Sequence, residues 1–214
     1  MRRFLAMAGA AVLLLAGCAK SPLPLSDKAR VSVDDFSLMF VDYLKYISAP
    51  ITDIAGDFAD ITPDAVFEAT GCQIFKDNAT YESYLVSDGT VVPIATGFGG
   101  FGITDILPCD LDENGQTDIL YAYSWGSGLH RSQLAVYNLT DKAETGLDYV
   151  NLNNDMLLEA ENGTINVYSA VLQSDLPSDG SIVKGMVKGE LLCTITSEDG
   201  SPKITEVVPQ KSIE

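Results

Sequence analysis

The 214-residue chain has one histidine, one tryptophan and 13 basic residues against 30 acidic ones, and each shortage closes a class of function. A lone His130 cannot build a multi-histidine metal centre, and Ser127 and Ser132 beside it lack nucleophile-elbow or triad spacing. A formal charge of −17 repels phosphate backbones and anionic headgroups, so nucleic acid is excluded as a partner. The glycines at 97–102 match neither GxGxxG opening a helix nor a phosphate loop with its lysine, which disfavours nucleotide binding. No CxxC or Cys/His spacing points to zinc. Beyond residue 18 no apolar run is long enough to cross a bilayer.

What is present begins with an export signal. Arg2 and Arg3 precede an apolar run from Phe4 to Ala16 that is too short for a permanent membrane span. The run ends in Leu15-Ala16-Gly17-Cys18, which resembles the lipobox of bacterial lipoproteins. That resemblance implies cleavage before Cys18, acylation of its thiol, and an extracytoplasmic protein anchored by lipid to the bacterial cell membrane or outer membrane. Residues 1–17 are then signal peptide and 18–31, with two prolines and no apolar period, a tether. Loss of Arg2 and Arg3 takes the formal charge from −17 to −19. Cys72, Cys109 and Cys193 remain, an odd count that suits buried thiols better than a disulfide scaffold. Asn78, Asn138 and Asn162 each open an N-x-T triplet, which a bacterial export signal makes coincidental.

From residue 32 to 214 the pattern reads as a single α+β domain. Ser32 with Asp35 caps a helix over about Val33 to Ile47, whose apolar positions Phe36, Met39, Phe40, Tyr43 and Leu44 form one stripe. Pro50 stops it. Residues 51–61 are ambiguous between turn and short helix, and Thr62-Pro63-Asp64 to Gly71 signals a second helix. Strand and turn signals follow: Tyr81–Ser87 and Thr90–Ala95 around Asp88-Gly89, then Ile103–Pro108, Asp118–Ser124 and Gln133–Asn138. Met156–Ala160 and Ile165–Leu172 flank Asn162-Gly163, and Ile182–Ser197 pairs with Lys203–Val208. The expected architecture is two N-terminal helices packed on a mainly antiparallel sheet or meander of about eight strands.

The densest chemistry lies in Asp110-Leu111-Asp112-Glu113-Asn114-Gly115-Gln116-Thr117-Asp118. Carboxylates and an amide at alternate positions, bending at Gly115, suit calcium, which takes six to eight oxygens. An EF-hand is ruled out, because its twelfth position needs a bidentate acid and here holds Tyr121. With Phe98-Gly99-Gly100 and Phe101-Gly102 upstream, residues 96–125 resemble one FG-GAP or VCBS repeat of integrin α subunits and secreted bacterial proteins. The resemblance implies calcium ligands Asp110, Asp112, Asn114 and Asp118, with Gln116 contributing its carbonyl. A single copy cannot make that family's propeller.

Between Ser124 and Ser132 a glycine-rich turn carries Trp125, His130 and Arg131, a candidate contact for a protein or carbohydrate ligand. The combined reading is a lipid-anchored exported protein with structural calcium, acting as a ligand- or partner-binding module of the cell envelope rather than an enzyme. The rival is a small extracytoplasmic hydrolase of envelope sugar or peptide, which requires a cleft joining His130 to an acid. Cys18→Ser is expected to abolish metabolic labelling by a palmitate analogue and to leave the signal uncleaved; labelling retained in the variant would refute the lipid anchor.

Overall fold

The computed structural model describes residues 29–49, 56–172 and 185–207. The export signal, Cys18, the tether as far as residue 28, Pro50 and residues 182–184 and 208 of the expected last strands lie outside them. Two helices, α1 (Val33–Tyr46) and α2 (Asp64–Thr70), accompany twelve strands among the described residues. The strands are β1 (Phe58–Asp60), β2 (Gln73–Asp77), β3 (Ser83–Ser87), β4 (Thr90–Ile94), β5 (Gly102–Cys109) and β6 (Asp118–Trp125). They continue with β7 (Arg131–Asn138), β8 (Ala143–Asn151), β9 (Asp155–Glu161), β10 (Thr164–Leu172), β11 (Met186–Glu198) and β12 (Ser201–Glu206). Each run of four strands makes its own antiparallel meander, ordered β1-β2-β3-β4, β5-β6-β7-β8 and β9-β10-β11-β12.

This overturns the α+β expectation. The protein is mostly β, and its strands form three sheets instead of one sheet of about eight carrying two helices. The physical reason lies in the second sheet, where seven consecutive residues of β6, Asp118 to Ser124, are buried. A strand buried on both faces needs a layer above and a layer below. Ile119, Tyr121, Tyr123, Ala135 and Tyr137 pack against Ile74, Leu85 and Ile94 of the first sheet. On the opposite face Leu120, Ala122, Leu134 and Val136 pack against Met156, Leu158, Ile165, Val167, Leu192 and Ile195 of the third. The odd and even residues of one strand thus serve two cores.

Helix α1 covers the outer face of the first sheet. Ser32 Oγ accepts the Asp35 N–H as its cap, and the apolar stripe buries Phe36 flat on Phe75, ring centroids 4.0 Å apart. Phe40 and Tyr43 continue the contact onto Tyr84. Helix α2 is a single short wedge beside the first and second sheets, with Val66 in their shared core. Its start differs from expectation: Pro63 takes the cap position, while Thr62 Oγ1 accepts the Ile74 N–H at 2.6 Å. Gly71 closes it in the left-handed conformation (φ 68°). Sequence patterns left β1 undecided and did not suggest β8, most of whose first half is exposed.

The sheets are also tied by polar groups. A bulge in β5 at Thr104 lets its hydroxyl donate to the Met156 carbonyl (2.9 Å), and Asp105 accepts the Leu158 N–H (2.7 Å). Burial pushes the Asp105 carboxyl above its usual range, opposed by the Leu158 and Ile106 N–H groups that donate to it. Arg30 fixes the start of the domain, reaching Asp60 (2.9 Å) and Asp64 (2.8 Å) while stacking over Phe67. The described thiols Cys72, Cys109 and Cys193 are unpaired, and burial pushes both Cys109 and Cys193 up to about 12.

Candidate functional site

Three places gather the residues with chemistry: the acidic loop, the Trp125–Arg131 turn, and a cavity beside the glycine stretch. The acidic loop closes the β5–β6 hairpin, whose last register pair is Cys109 with Asp118. Leu111 anchors it in the core between the second and third sheets, and Ser197 Oγ donates to the Leu111 carbonyl. Asp110 accepts the backbone N–H groups of Asn114 and Gly115, both at 3.1 Å. Asp112 Oδ2 accepts amide hydrogens from Asn114 (2.7 Å) and Asn138 (3.0 Å). Asn138 Nδ2 also donates to Asp118 Oδ2 at 3.0 Å, so one amide bridges two carboxylates. Asp118 is almost fully buried, and burial, with Asp112 and Asp110 adding repulsion, raises its carboxyl.

The fit to calcium is therefore partial. The five expected residues share one loop, yet the amide of Asn114 turns its NH2 toward Asp112 and its oxygen toward the Gln116 N–H. The Gln116 side chain donates to the Thr117 carbonyl. Among the described residues no three acid, histidine or cysteine side chains converge as they stand on a point that could hold a metal. Asn138 was missed in the sequence because it lies twenty residues beyond the loop, at the end of β7, and only strand pairing brings it back.

The turn after β6 is largely self-satisfied. Trp125 packs on the core while the Arg131 guanidinium lies 4.9 Å from its ring centroid. His130 Nε2 is 3.0 Å from Asp155 Oδ1 and 3.2 Å from Ser132 Oγ, whose hydroxyl donates to the same carboxylate oxygen. These are the residue types of an acyl-transfer triad in another geometry. A triad holds the acid on one imidazole nitrogen and the serine on the other; here both meet Nε2, and Ser132 is fully buried. Lys76 completes the junction from the first sheet, donating to the Ile103 carbonyl (3.0 Å) and lying 5.4 Å from the Tyr81 ring centroid.

The glycine stretch has a clear structural task. Gly99 bridges Gly126 in parallel, and a Cβ on Gly100 would stand 2.6 Å from Trp125 Cα. At Gly102, φ is +62° and a Cβ would meet the Tyr81 carbonyl at 2.1 Å. Beside the crossing lies a cavity of about 310 Å³ between the C-terminal turn of α1, the start of β3 and the end of β4. Tyr43, Ile47, Tyr81, Glu82 and Tyr84 are among its walls, with Gly99 and Gly102 at one side. Tyr84 donates its hydroxyl to Glu82 Oε2 at 2.7 Å, and burial, followed by Glu82, raises the phenol far above its usual range. The sequence showed these residues only as helix stripe and strand; no local signal says that α1 ends over them.

No protein-family model, curated protein or solved structure matches the chain. Its function is argued from the geometry and the sequence motifs.

Burial pulls the Lys76 amine from 10.5 down to about 8, opposed by Asp155. The folded state therefore releases this proton at about pH 8 while the unfolded chain keeps it to about 10.5, so Lys76 makes stability rise with pH across that window. Cys109 and Cys193, raised by burial, act in the opposite direction above about pH 9, so the signal is the difference between variants. Urea unfolding at pH 8 and 10 should show wild type gaining about 2–3 kcal/mol relative to Lys76→Met. Parallel curves would contradict the burial of a charged amine.

Proposed function

We propose that the chain is an exported lipoprotein, held to a bacterial membrane by acyl chains on Cys18, whose β domain binds a small ligand in the cavity walled by Tyr43, Tyr81 and Tyr84. The observation that carries the binding role is the cavity itself. About 310 Å³ of open space is lined by tyrosine rings with one carboxylate among the described residues, the usual composition of a ligand site. Its position agrees with presentation away from an anchor. The domain starts at Arg30, beside the first turn of α1, and the cavity lies at the helix's other end, about 20 Å away at 1.5 Å per residue.

Calcium has a structural place in this reading. The ion would be held by Asp110, Asp112 and Asp118, with oxygens from Asn114 and Gln116 and, from the strand alongside, Asn138. It would replace the amide hydrogens that now face the carboxylates and hold the β5–β6 hairpin against β7 and the β11–β12 turn. The hydrolase reading has less to support it, since Ser132 and Asp155 are buried and neither belongs to the cavity wall. The Trp125 to Arg131 turn is likewise secondary, its groups being occupied by one another.

Full-length protein stripped of metal should gain several degrees in melting temperature with millimolar calcium, the gain disappearing in Asp112→Ala. Identical melting with calcium and chelator would end the calcium assignment. For the cavity, a panel of neutral, cationic and anionic aromatic fragments should include members whose binding is lost in Tyr43→Leu with the fold intact. A panel in which nothing binds would end the binding reading.

A further inference from the structure

We propose that the cavity selects a small organic cation, an ammonium or guanidinium group on an apolar body, with its charge seated at the corner of Tyr43 and Tyr84 beside the Glu82 carboxylate. This rests on the reading that the cavity is a ligand site.

The charge of the wall favours a cation. Among the described residues Glu82 is its only carboxylate, and no lysine, arginine or histidine lines it. The nearby cations are committed elsewhere: Lys76 to the Ile103 carbonyl, Lys45 to Asp42, Arg30 to the opposite end of α1. An anionic ligand would meet repulsion from Glu82 and no countercharge, in a chain whose formal charge is −17.

The aromatic geometry agrees. Tyr43 and Tyr84 meet edge to face, ring centroids 6.2 Å apart at an interplanar angle of 63°, and both rings belong to the cavity wall. A cation is drawn to such faces, more strongly where water is displaced. The Tyr84 hydroxyl donates to Glu82 Oε2, which holds the carboxylate beside the corner, and no basic group among the described residues pairs with that carboxylate.

The polar groups of the wall separate a cation from a neutral sugar. A polyol is recognised by free donors and acceptors, and much of the polar wall is already paired. Ser124 Oγ accepts the Phe101 N–H, Thr80 Oγ1 the Glu82 N–H, and the Ala95 N–H goes to Glu144. Ser83 Oγ, without a partner, is buried away from solvent. Beside the hydroxyls of Tyr43, Tyr81 and Thr96 the wall offers rings and one negative charge, while exposed Ile47 in the wall, and exposed Phe98 between the lining residues Gly97 and Gly99, add apolar surface for the rest of the ligand.

Benzylamine, benzyl alcohol and benzoate share a ring and differ in charge, so their affinities for the full-length chain at neutral pH, by calorimetry or ligand-observed magnetic resonance, separate charge from shape. Benzylamine should bind about tenfold more tightly than benzyl alcohol, with benzoate weakest. Glu82→Gln, which keeps an acceptor for Tyr84, should remove most of that preference without altering the melting temperature. Tyr43→Leu should weaken the amine more than the alcohol. Equal affinity of amine and alcohol, or a preference that survives Glu82→Gln, overturns the cation assignment and leaves the cavity as a ligand site. Absence of binding by all three to folded protein overturns this proposal, and only silence of the wider fragment panel as well would overturn the binding reading.

Discussion

The structure depends on the burial of its middle sheet on both faces. In β6 the side chains of Ile119 to Tyr123 alternate between two cores, and each core would be open to water if the sheet that flanks it were removed. Burying a large apolar side chain contributes about 1.5–3 kcal/mol, and a strand with apolar residues on both faces draws that contribution from both neighbouring meanders. This requirement turns three locally simple meanders, each with short connections, into one stack. It also explains why α1 has only one place to go: the outer face of the first sheet, with Phe75, Tyr84 and Val86, is the large apolar surface left uncovered there by the stacking.

Local chemistry made much of the chain legible. The Ser32 cap gives its helix, and Asp88-Gly89 and Asn162-Gly163, all four residues with positive φ, turn the hairpins that their sequences announce. The layering was not legible, because an alternating strand states that it has two faces and not what covers them. Tyr121 and Leu120 look alike as apolar residues, yet one faces the first sheet and the other the third. Strand β8 escaped because most of its first half is exposed and its pairing with β7 is broken by a register shift. Partners distant in sequence escaped for the same reason: Asn138 reaches Asp112 across 26 positions, and Tyr84 meets Tyr43 across a helix and two strands.

Where the sheets cannot close on one another they are joined by polar groups, and this decides which conspicuous residues are free. Lys76 comes from the first sheet, Ser132 and His130 from the second and its turn, Asp155 from the third. An unpaired charge at such a junction costs far more than a surface ion pair yields, so the sole histidine and its neighbours are committed to one another. The residues that drew notice for rarity are thus the ones least available to a ligand. Arg131 over Trp125 repeats the pattern at the rim.

The glycine crossing bears the opposite relation to function. Sheet packing fills space, and an opening survives where backbone takes the place of side chains. At Gly99, Gly100 and Gly102 the chain approaches the β6–β7 turn and Tyr81 more closely than any Cβ allows, and Gly99 and Gly102 form part of the cavity wall. The other walls of the cavity come from common residue types, tyrosine and glutamate, whose value is set by position. Tyr84 continues the aromatic core under α1, ring to ring with Phe36, Phe40 and Phe58, so the corner it makes with Tyr43 is as rigid as that core. A ligand met by such a corner finds it already in place, and little of its binding energy is lost to ordering the site.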